Sequence, residues 1–418
     1  MKVFKFGGAS VKDAESVRNV AQVLKHYPNE RIIVVVSAMG KITNALEKLV
    51  DAYLSKSNQV KTILEEIKKY HFDIIEKLFQ NPSHPIYKTI HQTFEAIEKN
   101  LASTPTKDYN REYDQIVCQG EIISTLIISA YLNEVGIKNT WADARSLIRT
   151  DATYREGQVD FEFTEQLVKK CFSSLNGVVI TQGFIGSSED KSTVTLGRDG
   201  SDYSAAIFAY CTEAENVTIW KDVPGVMNAD PKWFEETKLI DHMSYQDAIE
   251  LSYYGATIIH PKTIKPLQNK KIPLYVKSFL HPNEPGTVIN DKPSQLPIPC
   301  FIFKINQILL SISPKNFSFI VEENFSDIFL IFSENRVKIN TMENSAISFS
   351  VCTDNDEKKI PKLIEKLQEK FRVLYNDNLE LITIRYYDQP TIDRVCIGKK
   401  ILLEHKSRYT VQLVVKNN

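Results

Sequence analysis

A run of β-branched residues early in the chain constrains the fold more than any other feature. Residues 31–37 read Arg-Ile-Ile-Val-Val-Val-Ser, so the strand that they predict is apolar on both faces. Strands of this kind lie inside a parallel sheet that is covered on both sides. Three more strand-like segments follow at helix-sized intervals, and together they predict a doubly wound α/β sheet: residues 138–142, 178–185 and 217–221.

The first ten residues predict a phosphate-binding loop. Residues 2–6 alternate like a short strand, Gly7 and Gly8 follow, and residues 14–24 have a helical pattern. Glycines let backbone N–H groups approach an oxyanion, and a helix N-terminus adds about half a positive charge. Lys5, on the strand, would direct its ammonium group at the same phosphates. Because this pattern recurs in α/β proteins without a ligand, it needs support from elsewhere in the chain.

Composition excludes several classes of function. The 418 residues are enough for two or three domains, and 51 basic side chains balance 52 acidic ones, which argues against a nucleic-acid or anionic-membrane binder. The six cysteines have no paired short spacing, which argues against zinc clusters and a disulfide scaffold. We see no leader sequence and no apolar run near the roughly 18 residues of a membrane span, so we expect a cytoplasmic protein.

Four later features add ligand-binding chemistry. Residues 37–44 are small and polar at the carboxyl end of a predicted strand, which is where open α/β sheets bind ligands. Residues 195–206 place Arg198 among glycines before a helix, as in a site for a carboxylate or a phosphate. Residues 221–232 form a turn-rich loop that carries acid and base. Glu121 stands near the start of an apolar helix, where it either favours the helix dipole or accepts a substrate ammonium group.

The ordered set of these motifs resembles aspartate kinase. The resemblance covers about residues 1–290 and implies the amino-acid kinase fold, a three-layer αβα sandwich. It also implies transfer of the γ-phosphoryl group of ATP to the side-chain carboxylate of L-aspartate. The product is 4-phospho-L-aspartate, in the first step of lysine, threonine and methionine biosynthesis. The motifs are Lys-Phe-Gly-Gly-Ala-Ser at 5–10, Ser-Ala-Met-Gly-Lys-Ile-Thr-Asn at 37–44, Gln-Gly-Glu at 119–121, Gly-Arg-Asp-Gly-Ser-Asp-Tyr at 197–203, Asp-Val-Pro-Gly-Val at 222–226, Gly-Ala-Thr-Ile-Ile-His-Pro at 255–261 and Pro-Gly-Thr at 285–287.

The resemblance also implies roles for individual residues. Lys5 and Asp202 would be catalytic, although Asp202 could equally be a helix cap. Aspartate would contact Ser37, Thr43, Glu121, Phe184, Arg198 and Ser201. The nucleotide would contact Lys5, Gly7, Gly8, Ser10, Lys221, Asp222, Met227, Lys232, Thr257 and Ile258. Mg²⁺ would arrive with ATP and keep mostly phosphate and water ligands, so no side chain is assigned to a metal. A carboxylate acceptor is already an anion and needs no general base, which leaves positioning and charge neutralisation to the protein.

Four positions depart from the family pattern. Ala9 replaces a hydroxyl residue, Asp199 a glycine, Met227 an aromatic residue and Thr257 a lysine that binds nucleotide. Losing that lysine removes one charge from the phosphates, which would cost ~1 to 3 kcal/mol if it made a charge-assisted hydrogen bond. The affinity for ATP, not the reaction class, is the property that these changes put in question.

The last part of the chain has a different pattern. Residues 291–299 have the prolines and polar residues of a linker. We predict strands and helices beyond it in two tandem βαββαβ-like units over residues 300–418, which resemble the paired ACT domains of the family. Such units pair edge to edge, so the resemblance implies a homodimer. The predicted strands are 301–312, 345–352, 379–385 and 410–415, and the predicted helices are 317–334 and 359–371.

An amino-acid effector is a further implication of the resemblance. Regulated aspartate kinases hold lysine or threonine between ACT units, where an aspartate accepts the ammonium group of the effector. Lys338 stands in the matching stretch of this chain, and Asn316 replaces the glycine of the opposing loop. The positive charge of Lys338 would repel the ammonium group of the effector and weaken its binding. We therefore expect weak or no inhibition by lysine alone.

Two other classes of function stay open on the sequence. A relative acting on glutamate, acetylglutamate or a nucleoside monophosphate would share the phosphate loops, although Glu121 and residues 37–44 argue against it. A regulatory protein without kinase activity is the second alternative, which Met227 and Thr257 favour and intact Lys5 opposes.

Overall fold

A computed structural model describes the chain except for residues 174–176, 235, 257–258, 295–297 and 317. The chain divides into two compact units. The first comprises Met1–Val226, Leu239–Ile249 and Ile258–Ser294, and the second comprises Met227–Lys238, Glu250–Thr257 and Gln295–Asn418. The second unit therefore includes two short segments from the middle of the chain.

The first unit alternates strands and helices, and along the chain two segments of the second unit interrupt it. In chain order, with α9 extending into the second unit, its elements are β1 (Lys2–Phe6), α1 (Ala14–Lys25), β2 (Ile32–Val36), α2 (Ile42–Leu54), α3 (Val60–Leu78), α4 (Pro85–Leu101), α5 (Tyr109–Val117), α6 (Gln119–Glu134), β3 (Asn139–Ala142), α7 (Phe161–Phe172), β4 (Val178–Gln182), β5 (Ile185–Ser187), β6 (Thr193–Thr195), α8 (Gly200–Thr212), β7 (Asn216–Lys221), β8 (His242–Ser244), α9 (Tyr245–Tyr254), α10 (Pro261–Lys270), β9 (Leu274–Ser278) and β10 (Thr287–Asn290).

An eight-stranded sheet forms the centre of this unit, in the order β3-β4-β2-β1-β7-β9-β10-β8. The first six of these strands are parallel, and β10 runs antiparallel to β9. All five residues of β2 are buried, as its β-branched composition predicts. The αβα fold predicted from the sequence is confirmed, and the parallel core brings the carboxyl ends of β4, β2, β1 and β7 to one edge.

The predicted strand at 178–185 is shorter than expected. It ends at Gln182, and Phe184 has a positive φ of 70° that no regular strand tolerates. The Phe184 N–H donates to Ser204 Oγ at 2.9 Å instead of to a neighbouring strand, and the Phe184 carbonyl accepts from Leu196 N at 2.8 Å. The chain then turns into the separate two-stranded hairpin of β5 and β6.

The helices α5 and α6 follow one another with a single residue between them, Cys118. Over the described residues, Tyr109–Glu134 is the one helical stretch long and apolar enough to cross a membrane, with a mean hydropathy of 1.3, and 78% of that window is buried within the protein. Our expectation that no stretch has this composition is therefore wrong. The reason is that a helix surrounded by protein, like a membrane span, has no polar face.

The second unit is built on one antiparallel sheet in the order β12-β13-β11-β14-β16-β15. Its elements are β11 (Cys300–Pro314), α11 (Glu322–Glu334), β12 (Ile339–Asn344), β13 (Phe349–Asp354), α12 (Ile360–Lys370), β14 (Phe371–Arg385), α13 (Gln389–Val395), β15 (Lys399–Lys406) and β16 (Thr410–Asn417).

This sheet agrees with the ACT-like pattern but joins its two halves. The elements from β11 to β14 form one complete βαββαβ unit, and α13, β15 and β16 follow it. β11 and β14 are each 15 residues long and pair along most of their length, so both halves share them. The four predicted strands are present, whereas β12, β15 and α13 were not predicted. The predicted helix at 317–334 begins at Glu322, and residue 317 lies outside the described residues.

Candidate active site

The two glycine-rich loops predicted at the strand ends lie against each other. The Gly40 N–H donates to the Gly8 carbonyl at 3.0 Å, and a Cβ atom at Gly8 would come within 2.7 Å of the Gly40 carbonyl oxygen. The Ser10 hydroxyl, buried, donates to the Trp220 carbonyl at 3.2 Å and ties this loop to β7. A Cβ atom at Gly7 would lie 3.2 Å from Lys5 Nζ. Glycine at position 7 therefore keeps the space beside this ammonium group open.

The predicted contribution of α1 to this loop needs a correction. Gly8–Val11 forms a short 3₁₀ turn, and α1 starts only at Ala14. The Asp13 side chain caps α1 by accepting the Ser16 N–H at 2.8 Å. Because this carboxylate already occupies the helix N-terminus, the dipole of α1 is not available to the predicted phosphate site, and the glycines and Lys5 are the groups left to form it.

Lys5 and Asp202 form a largely buried ion pair. Lys5 lies in β1 between Val35 of β2 and Ile219 of β7, and its Nζ atom is 2.6 Å from Oδ1 of Asp202, in the first turn of α8. Their side chains are 12% and 8% exposed. The contact is an ion pair, and charge attraction holds it together.

Lys221 adds a second ammonium group to this corner. It is the last residue of β7, and burial lowers the pKa of its side chain, with Asp202 opposing the shift and Lys5 adding to it. Asp199 and Asp222 also act on the Lys221 ammonium group, so this corner combines two lysines with several carboxylates. The two ammonium groups are donors of the kind that bind a polyphosphate. Asp222 follows on the exposed loop.

Glu121 is a buried carboxylate with one unused oxygen. It lies in the first turn of α6, 2% exposed, and its Oε1 atom accepts the Ala38 N–H at 3.2 Å. Its Oε2 atom is buried and has no hydrogen-bond partner among the described residues. Burial raises the pKa of Glu121 to about 8. A buried oxygen in this state is suited to a cationic ligand that restores the charged form.

Phe184 and Ser201 meet where β4 ends and α8 begins. A Cβ atom at Gly183 would lie 2.6 Å from the Ser201 Cβ atom, and one at Gly200 would lie 2.6 Å from Cδ2 of Phe184. Small residues on both sides thus allow this close approach. The structure places Ser37 at the end of β2, where its carbonyl accepts from Ser124 Oγ of α6 at 2.8 Å.

Arg198 and Thr43 occupy less buried positions. The Arg198 side chain is 78% exposed, and its Nε atom is 3.9 Å from Oδ2 of the adjacent Asp199. Asp199 has a φ of 55°, which explains why glycine suits this position in the family. No side chain among the described residues caps α8. Of its first-turn N–H groups, that of Gly200 donates to the Gly197 carbonyl, and those of Asp202 and Tyr203 donate to the Asp199 carbonyl. Thr43 is half-buried in the first turn of α2.

The remaining nucleotide candidates are not brought to this cluster by the described contacts. Met227 and Lys232 belong to the second unit, where the Lys232 N–H donates to Asp230 Oδ1 at 2.9 Å in a turn. Thr257 and Ile258 lie outside the described residues.

Sequence reasoning did not identify one residue that supports the Arg198 loop. Asp114, fully buried in α5, accepts the Thr195 N–H at 2.9 Å, the Thr195 hydroxyl at 2.7 Å and the Arg155 N–H at 3.0 Å. Thr195 ends β6, three residues before Arg198. Asp114 stands in a charged helical stretch where an acidic residue normally faces solvent, so the sequence carried no signal of this role.

Comparison with known proteins identifies the family of this chain. The profile of the Amino acid kinase family matches residues 1–278. Lysine-sensitive aspartokinase 3 of Escherichia coli is 30% identical over 96% of this chain and 89% of its own length. The bifunctional aspartokinase/homoserine dehydrogenase 2 of Arabidopsis thaliana is also 30% identical, over 88% of this chain, but the chain spans only 42% of that protein.

Solved structures give the same result. Escherichia coli aspartokinase III in complex with lysine and aspartate has a TM-score of 0.83 and 27% identity, covering 99% of this chain and 95% of that one. The complex of the same protein with aspartate and ADP has a TM-score of 0.82 and 27% identity, covering 99% and 96%. The profile match, the identity over nearly the whole length and the shared fold lead to one conclusion: the chain belongs to the aspartokinase family, within the amino acid kinases, which are ATP-dependent phosphotransferases.

Proposed function

We propose that this chain is an aspartate kinase. It transfers the γ-phosphoryl group of ATP to the side-chain carboxylate of L-aspartate and so produces 4-phospho-L-aspartate, in the first step of lysine, threonine and methionine biosynthesis. One observation carries the proposal. The same sheet edge holds a lysine-rich corner around Lys5 and a buried carboxylate, Glu121, whose free oxygen lacks a partner among the described residues. The first suits a polyphosphate and the second suits the ammonium group of an amino acid.

Aspartate is proposed to bind between α6, α8 and the loop after β2. Glu121 accepts a hydrogen bond from the ammonium group of aspartate. A buried ion pair thereby replaces the hydration shell of that ammonium group. Arg198, at the rim, binds the α-carboxylate through its guanidinium group, and the helix dipole of α8 favours the same charge. The pocket is completed by Ser37, Thr43, Phe184 and Ser201.

The nucleotide is proposed to bind at the ends of β1 and β7. Lys5 contacts the phosphoryl group in transfer, and Asp202 holds the Lys5 ammonium group in place. The space beside Lys5 that Gly7 keeps open, together with the two lysines, fits a polyphosphate. Mg²⁺ bound with ATP would neutralise part of the phosphate charge. Asp202 and Asp222 are the carboxylates near the proposed position of the phosphates. The nucleotide-binding set is Lys5, Gly7, Gly8, Ser10, Lys221, Asp222, Met227, Lys232, Thr257 and Ile258.

The protein contributes position and charge rather than proton transfer. The aspartate carboxylate is an anion at neutral pH and attacks without a general base. Glu121 and Arg198 fix the two charged groups at the far end of the substrate, which orients the side-chain carboxylate toward Lys5. Lys5 then stabilises charge on the oxygens of the group in transfer.

Three further properties belong to this proposal. We expect a homodimer formed through the second unit, an amino-acid effector bound there, and a cytoplasmic location. The homologue's name, lysine-sensitive aspartokinase 3, supports the existence of an effector site in the family.

A coupled assay of ADP release tests the function. Reactions contain the full chain, ATP and Mg²⁺ with L-aspartate, with L-glutamate or with no acceptor. We expect ADP release only with L-aspartate, and hydroxylamine should trap the acyl phosphate as the hydroxamate. Release with L-glutamate alone would assign a different acceptor, and no release above the acceptor-free rate would favour a regulatory protein without kinase activity.

A further inference from the structure

The last residue of β4 connects three elements behind the proposed aspartate pocket. Gln182 is fully buried, and its side chain makes two hydrogen bonds to different parts of the chain. Its Oε1 atom accepts the Ala144 N–H, just after β3, at 2.7 Å. Its Nε2 group donates to Thr125 Oγ1 of α6 at 2.7 Å. The side chain therefore fixes the position of α6 relative to the sheet.

Thr125 makes this connection rigid because its hydroxyl group both accepts and donates hydrogen bonds within the protein. It accepts from Gln182 and also from Trp141 Nε1 at 3.0 Å. It donates to the carbonyls of Glu121 at 2.9 Å and Ile122 at 3.1 Å, one turn earlier in α6. Thr125 is fully buried, so a lost partner would leave a polar group without water. The network thus reaches the backbone of Glu121 itself.

Gln182 is connected in two ways to residues that are proposed to bind aspartate. The residue that follows it, Gly183, donates its N–H to the Val36 carbonyl of β2 at 2.9 Å and leads to Phe184. On the α6 side, Glu121 accepts the Ala38 N–H. Gln182 therefore connects to α6, which carries Glu121, through its side chain, and to the loop that carries Phe184 through its backbone.

We propose that Gln182 is a positioning residue for aspartate binding, acting with Thr125. It holds Glu121 and Phe184 at the spacing that the substrate requires, and it has no role at the nucleotide. The inference rests on the proposed function, because it takes Glu121 as the ammonium partner. It predicts that removing these hydrogen bonds weakens the binding of aspartate and not that of ATP. The reason is that a misplaced positioning residue affects the substrate that it orients, even when the reacting groups are intact.

Steady-state kinetics on matched variants test the proposal. Gln182→Met keeps the length and volume of the side chain and removes both hydrogen bonds, and Thr125→Val removes only the hydroxyl. We expect each to raise the aspartate KM about tenfold and to change the ATP KM by less than about twofold. The double variant should resemble either single one, because the two side chains act through one hydrogen bond.

Thr181→Val is the control. Thr181 precedes Gln182 on β4, is equally buried, and its hydroxyl has no hydrogen-bond partner among the described residues. Removing that hydroxyl should leave both KM values unchanged. If Gln182→Met does not fold, as judged by circular dichroism, Thr125→Val decides the matter.

The outcomes separate this inference from the function it rests on. An unchanged aspartate KM, or an equal rise of both KM values, would overturn the positioning role while the parent chain still turns over aspartate. Absence of aspartate-dependent ADP release by the parent chain would overturn the proposed function and this inference together.

Discussion

The Nζ atom of Lys5 lies 2.6 Å from Oδ1 of Asp202, with both side chains nearly buried. Each group compensates the charge of the other in a place where water cannot. Lys5 thus has a structural partner in addition to its proposed contact with the phosphoryl group.

Lys5→Ala should abolish turnover by removing roughly 3 kcal/mol or more of transition-state stabilisation. The chain should still fold, but with lower stability, because Asp202 keeps a buried charge without its partner. Combining it with Asp202→Asn should recover thermal stability and no activity. Lys2→Ala, on the same strand but paired with Glu30 at the surface, is the control for activity. Activity of Lys5→Ala within about tenfold of the parent would contradict the assigned role.

Glu121→Ala should raise the aspartate KM more than the ATP KM, because it removes the ammonium partner of one substrate. Initial rates at varied concentrations of each substrate give both values. Equal changes in the two constants would mean that Glu121 serves only the fold.

Binding of aspartate should also depend on pH through Glu121. Burial raises the pKa of this carboxyl to about 8, so in the free protein it is neutral below that pH and ionised above it. An ammonium ligand requires the ionised form, hence the aspartate KM should fall as the pH rises toward 8 and then level off. Glu121→Gln should remove this dependence from the KM profile, and a pH-independent KM in the parent would refute the prediction.

His71 should make the first unit sensitive to acid. It is fully buried in α3, its Nδ1 atom lies 2.7 Å from the Ile67 carbonyl, and burial lowers its pKa to about 4. The unfolded chain binds the proton near the usual 6.5, so stability is complete above pH 6.5 and falls between 6.5 and 4, by ~3 kcal/mol over that interval.

Urea unfolding at pH 7 and pH 5 measures this loss. His71→Leu should reduce the difference between the two pH values, whereas His26→Gln, at the exposed end of α1, should leave it unchanged. The same difference in His71→Leu as in the parent would assign the acid sensitivity to other groups.

Lysine alone should inhibit the enzyme weakly or not at all. Lys338 is exposed, and its Nζ atom lies 5.1 Å from the ring centroid of Tyr253 in the second unit. Asn316 accepts from the Ser318 N–H at 3.2 Å and from its hydroxyl at 2.7 Å. An effector ammonium group near Lys338 would meet like charge. Initial rates with lysine, threonine and both will test this, and Lys338→Asp should increase the response to lysine. Half-inhibition of the parent by sub-millimolar lysine would show the expectation to be wrong.

The sequence predicted the central sheet because its signals were local. The β-branched run of β2 predicts a buried strand by itself, and both this strand and the glycine-containing turn after β1 are found where predicted. Lys5 and Asp202 are nearly 200 residues apart in the chain, and a resemblance to known motifs, rather than spacing, paired them.

The missed features depend on tertiary contacts. Asp114 and Gln182 are polar residues whose hydrogen-bond partners are distant in the chain, Thr195 of β6 for Asp114 and Thr125 of α6 for Gln182, so no local pattern indicates these contacts. The separation of β5 from β4 depends on the positive φ of Phe184. Phenylalanine rarely adopts this backbone conformation, so the sequence does not indicate it. The strands β12 and β15 carry charged residues, which is common at sheet edges and obscures a strand pattern.

The two segments that the second unit takes from the middle of the chain bear on how such a protein can be rearranged in evolution. Phe234 packs against Phe301 and Phe303, with ring centroids 4.8 and 5.4 Å apart, and Glu250 pairs with Arg385. Gene fusion or exchange at residue 294 would separate these partners and leave a buried arginine without its carboxylate. Recombination should therefore transfer the two units together, and domain shuffling should succeed only at the ends of the whole chain.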